Sequence, residues 1–148
     1  MARFIRAHPA PQVRGHYTNF RDHVRRDFQG CCAYCLLPEL EAAGEGNFEL
    51  DHFRPQSKFP HLARDFHNLY WSCSVCNGNK WNRWPSPYQE QQGIGFVDYC
   101  RNDFQDHFQL SPSGFWLPLS LSGKYTEQII KLNSPHLIAK RLQINWQP

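Results

Sequence analysis

Nowhere in its 148 residues does this chain carry an apolar run approaching the length of a membrane span. Its amino terminus, MARFIRAHPAPQ, has no apolar centre of signal-peptide length. Internal repeats and low-complexity tracts are lacking as well, which argues against a solenoid or a fibre. These absences set the expectation of a cytoplasmic protein with no membrane association. In that compartment six cysteines read as metal ligands or thiols in preference to disulfides.

What is present suits one modest folded domain. Hydrophobic residues make up 41% and aromatics 15%, too rich for disorder. The net charge of +3 is unevenly spread. Residues 1–30 hold Arg3, Arg6, Arg14, Arg21, Arg25 and Arg26 against Asp22 and Asp27, a balance of +4 that leaves −1 for the rest. A basic arm ahead of a near-neutral body suits a polyanion; solubilisation is the plainer account.

Residues 1–15, with Pro9 and Pro11, read as an extended arm. Tyr17, Phe20, Val24 and Phe28 recur at helical spacing, and Gly30 ends that helix. Arg21 and Arg25 flank the stripe and could be solvated or contact phosphate. A Leu/Glu/Ala segment before Gly44 suggests a short helix. Phe48 to Phe53 alternates as a strand, the loop 54–60 is broken by two prolines, and a second strand spans 68–71. A helix is expected from Cys73–Cys76 to before Pro85. Beyond it, Phe108–Leu110 and Phe115–Leu117 flank a Ser-Pro-Ser-Gly turn as a hairpin. Helices follow over 126–132 and from Ser134-Pro135, the last running almost into the chain end as in a shortened chain.

Cys32-x2-Cys35 and Cys73-x2-Cys76 are two pairs in which each tight turn can aim both thiolates at one ion. Two such turns complete a tetrahedral sulfur set, which favours Zn2+ over hard cations. Four inert buried thiols are the competing account. All four positions would be filled by protein, so this zinc is structural. Cys31 and Cys100 fall outside the pairs.

Between and after the pairs lie Leu50-Asp51-His52-Phe53-Arg54-Pro55-Gln56-Ser57, then Asn68-Leu69, then Cys73-Ser-Val-Cys76-Asn77-x-x-Lys80. This string resembles the HNH nucleases, and more closely stand-alone bacterial ones, some of them in anti-phage systems. The resemblance covers about a third of the chain and implies a ββα-metal fold cutting DNA to 5′-phosphate and 3′-hydroxyl ends. The residue types agree with that chemistry. Asp51 and Asn77 offer hard oxygens for one Mg2+ or Mn2+ ion. Asn77 stands where many relatives have histidine, which bears on metal preference. His52 points away from Asp51 along a strand, and as neutral imidazole it can take a proton from water. Asn68 is expected to tie the intervening loop by backbone hydrogen bonds and so fix His52. His67 is the lesser candidate. Arg54, Lys58, Lys80 and Arg83 could clamp phosphates; Trp71, Trp81 and Trp84 read more as core than as stacking platforms.

The expectation is therefore an α+β chain: a basic arm and leading helix over 1–30, a zinc-stapled nuclease core over 31–85, and a hairpin-plus-helix extension over 86–148 packed on the same domain. The expected partner is double-stranded DNA. Two alternatives stand: a zinc-bound nucleic-acid-binding module, which has no need of Asp51, His52 and Asn77 together, and a nuclease subunit active only beside a partner protein. The second is compatible with an aromatic C-terminal region that looks exposed.

Overall fold

Short elements dominate because turn-forming residues cut the chain every few positions. A computed structural model describes residues 2–42 and 44–148. Helices and two small antiparallel sheets make it α+β, as the sequence implied. No described helix is long and apolar enough to cross a membrane. The chain divides into two compact units, residues 4–84 and residues 85–148 with Ala2 and Arg3.

In the first unit a 3-10 turn, Tyr17–Phe20, leads into α1, Arg21–Asp27. Phe20, Val24 and Phe28 are buried on one face. The helix ends where Gln29 and Gly30 take positive φ, 55° and 67°. A side chain on Gly30 would press on the Glu39 carboxylate, so the turn needs its glycine. Strands β1, Phe48–His52, and β2, Leu69–Cys73, pair antiparallel with Asp51 opposite Tyr70 and His52 opposite Leu69. Every residue of β2 is buried. Helix α2, Ser74–Lys80, follows without a connecting loop.

Three expectations for this unit are corrected. Residues 36–42 of the Leu/Glu/Ala segment form no helix but end in turns, because Leu36 takes φ 61° and Pro38 lacks a backbone donor; Ala43 lies outside the described residues. The basic arm is no free arm. Phe4 is buried, and the Arg6 guanidinium lies 4.7 Å over Phe66 and 5.0 Å over Phe28. Arg6 pairs with Asp27 at 3.1 Å and donates to the Phe66 carbonyl, while Asp27 also accepts from the Ala7 amide at 2.8 Å. The two arginines that flank the stripe are ion-paired or stacked: Arg25 binds Glu39 at 2.7 Å, and Arg21 covers Trp71 at 4.4 Å. Deleting residues 1–15 should thus lower the melting temperature by several degrees, through lost packing and an orphaned Asp27. Differential scanning calorimetry showing an unchanged transition would contradict this.

The second unit begins with α3, Pro87–Gln91, which sequence periodicity did not reveal because it is one short turn stabilised by a Ser86/Gln89 capping box. Strands β3, Phe108–Leu110, and β4, Trp116–Pro118, form the hairpin. Helix α4, Leu121–Ile130, starts at its Ser120 cap, and α5, Pro135–Gln143, at Ser134. Four aromatics of this unit form core, while Tyr88 and Phe115 are exposed. Phe104, Phe108, Trp116 and Trp146 are buried around one another, with the Arg141 guanidinium 4.3 Å over Trp116.

Candidate functional site

The two cysteine turns have different local causes. In the first, the Cys32 amide donates to the Leu37 carbonyl and the Leu36 amide returns to the Cys32 carbonyl, closing a turn that Leu36's positive φ permits. The Tyr34 amide donates to the Cys32 sulfur. In the second, Cys73 is the N-cap of α2, and its sulfur accepts from the Cys76 amide at 3.5 Å. All four cysteines are buried, and their sulfurs lie within 4.8 Å of one another. A zinc tetrahedron with Zn–S bonds of about 2.3 Å has edges of about 3.8 Å, so the cluster fits that ion. Burial pushes the Cys32 thiol up, but contact with the other three sulfurs outweighs it and holds Cys32 well below the ordinary thiol range. Contact with Cys32 is the first cause that pushes Cys35 and Cys76 up. Four converging sulfurs are the donor set that a soft cation takes.

His52 closes β1 on the face opposite buried Asp51. Its Nε2 lies 2.9 Å from the Ala63 carbonyl oxygen, and its ring meets Tyr17 edge-on at 4.6 Å. A carbonyl can only accept, so Nε2 carries the proton and Nδ1 of the neutral ring is left as the basic nitrogen. Ala63 belongs to the long connection over residues 53–68, which Asn68 holds. Buried Asn68 accepts from the Arg54 amide at 2.9 Å and donates to the Arg54 and Leu62 carbonyls. One amide side chain thereby fixes both ends of the loop, including the residue beside the His52 acceptor. His67 is engaged elsewhere: its Nε2 lies 3.0 Å from the Ala7 carbonyl oxygen.

Asp51 stands in a buried cluster that the sequence did not show. The Tyr34 hydroxyl donates to its Oδ2, and Lys80 Nζ is 3.1 Å from the same oxygen. Lys80 also donates to the His52 carbonyl at 3.0 Å. Burial pushes the Asp51 carboxyl up against the opposing Lys80 charge, and pushes the Lys80 ammonium down against Asp51. Burial and the Asp51 charge hold the Tyr34 phenol well above its usual range, so it stays a donor. Lys80, fully buried, cannot be a phosphate clamp; this corrects the sequence expectation. Its charge is consumed by a carboxylate in β1, a partner that sequence spacing cannot reveal. The signal for Tyr34 was its place inside the first cysteine turn.

Asn77, in α2, is half-buried, and its side-chain amide makes no hydrogen bond among the described residues. Asp51 Oδ1 has only the 3.4 Å contact with Lys80. Both oxygens thus keep acceptor capacity, and Lys80 offsets the carboxylate's charge. Arg54, Lys58 and Arg83 are exposed. Trp71 is buried and Trp84 half-buried, as core tryptophans should be, but Trp81 is 72% exposed. Its role as core is a second correction.

Residues 32–83 match the model of the HNH endonuclease family. No curated protein matches the chain.

Proposed function

From the HNH endonuclease match over residues 32–83, we infer that this protein hydrolyses phosphodiester bonds in DNA with His52 as general base. The observation that carries this reading is the His52 Nε2 contact with the Ala63 carbonyl, because it fixes the tautomer a base requires. Nδ1 takes the proton of the attacking water as its oxygen bonds to phosphorus, and the 3′ oxygen leaves. Asp51 and Asn77 would hold Mg2+ or Mn2+, which when bound supplies positive charge at the leaving oxygen. Asn68 orients the loop that bears Ala63. Arg54, Lys58 and Arg83 contact phosphates. Zn2+ on the four cysteines is structural. On the sequence resemblance, the reading extends to double-stranded DNA, to a protein partner in a defence or restriction system, and to the cytoplasm.

Plasmid nicking tests the activity: relaxed circles should form with Mg2+ or Mn2+ and not in divalent-free buffer. A folded, zinc-loaded protein that binds DNA and never cuts under either metal would support the binding module instead. The ligand assignments are tested separately. Asn77→Ala should cut poorly at low Mg2+ and recover partly as Mg2+ is raised, whereas a lost base gives no such recovery; Asp51→Ala also strands the buried Lys80 charge, so its rate is compared only under conditions where its melting transition survives. A Mg2+ titration that leaves a folded Asn77→Ala protein dead would remove Asn77 from the ligand set.

A further inference from the structure

The segment after α2 carries two tryptophans with opposite surroundings. The Trp84 ring meets Phe53 and Phe59 edge-on, each at 5.6 Å, and the Arg54 guanidinium lies 5.0 Å over Trp84 and 5.3 Å over Phe59. These contacts pin residues 81–84 onto the loop that also bears Lys58. Trp81 escapes that cluster. It is 72% exposed, whereas the other tryptophans are buried or half-buried.

Its exposure is imposed by the backbone. Trp81 takes φ 46° and ψ −127°, a conformation that suits glycine and strains a bulky L-residue. Its amide still closes α2 on the Asn77 carbonyl at 2.8 Å. Glycine would occupy this turn more comfortably, so the indole is retained at a conformational cost. One turn back, Gly78 has open space where a Cβ would stand, leaving the approach clear.

This segment and the loop it is pinned to carry three exposed cations. Arg54, Lys58 and Arg83 are exposed, and none has a carboxylate partner among the described residues. Arg6, Arg25 and Lys80, by contrast, are each paired with an acid. A projecting aromatic ring two residues from Arg83, on a segment pinned to the loop that bears Arg54 and Lys58, matches a nucleic acid, which offers π-faces beside phosphates.

We propose that Trp81 packs its indole against a base of the bound DNA while Arg54, Lys58 and Arg83 hold the adjacent phosphates. This rests on the nuclease reading and adds to it a base-contacting residue beyond the hydrolytic centre. Stacking is tolerant of base identity, so the contact supplies affinity and positioning and leaves sequence choice to other groups.

The test is fluorescence anisotropy of a labelled mixed-sequence DNA duplex and of its single strand, with the full zinc-loaded chain and no added divalent metal. Trp81→Gly removes the ring and suits the backbone, so its melting temperature should hold or rise. Its Kd should weaken about tenfold on at least one of the two DNAs, with the salt dependence of wild type, because no phosphate contact is lost. Trp81→Phe should restore most of the affinity. Arg83→Ala should instead reduce the salt slope by about one. Wild-type affinity in Trp81→Gly on both DNAs, a lowered salt slope in that variant, or Trp81→Phe as weak as Trp81→Gly would each overturn the proposal. If wild type binds neither DNA, the nuclease reading falls together with it; if wild type binds and Trp81→Gly equals it, only the role of Trp81 falls.

Discussion

Cleavage by the His52→Ala protein should drop a hundredfold to ten-thousandfold, the range a positioned general base contributes. DNA affinity, zinc content and melting temperature should stay near wild type. The imidazole makes one hydrogen bond, to the Ala63 carbonyl, and one edge-on contact with Tyr17, and it is only half-buried. Losing it therefore costs the fold little. Raising Mg2+ should not restore the rate, in contrast to Asn77→Ala. Asn68→Ala should resemble His52→Ala in rate but differ in stability, because Asn68 is buried and bonded to Arg54 and Leu62. A folded His52→Ala protein that cuts like wild type would remove His52 from the chemistry.

Cys73→Ser should abolish the cooperative folding of residues 4–84. Structural zinc contributes about 10 kcal/mol or more to small domains, a large share of what a unit this size can muster. Cys73 has two jobs: its sulfur is one of the clustered four, and it caps α2 by accepting from the Cys76 amide. Serine keeps a capping oxygen but is a poor zinc ligand, so the variant isolates the metal's share. Elemental analysis should find one zinc per wild-type chain, and circular dichroism of Cys73→Ser should show lost secondary structure. Cys100→Ser, in the other unit, should leave both unchanged. A zinc-free wild type with an ordinary melting transition would mean that the cysteines are merely buried.

Local pattern carried the sequence reading where the physics is local. The x2 spacing marks two turns, alternation marks β1, and serine followed by proline marks the start of α5. The α+β character and the cysteine cluster were legible for that reason. Long-range partners were not. Lys80 reads as a surface cation on a helix until β1 supplies Asp51. Arg6 reads as part of a tail until Asp27 and two aromatic rings enclose it. Trp81 reads as core because large aromatics usually are, and only its left-handed backbone reveals otherwise. Trp116 looks exposed in a line of sequence because its partner Trp146 is thirty residues away, while Phe115 beside it is exposed.

The Asp51–Lys80 pair constrains how this sequence can drift. Removing either partner alone leaves a charge sealed from water, at about 3–5 kcal/mol, enough to threaten a small fold. A neutral Lys80 side chain would also leave the His52 carbonyl short of its donor. Tyr34 is freer, since phenylalanine keeps the ring and sacrifices one donated hydrogen bond while Lys80 still balances the carboxylate. Position 80 is therefore held to lysine for as long as position 51 carries the carboxylate, and position 34 should vary between two aromatics on its own schedule.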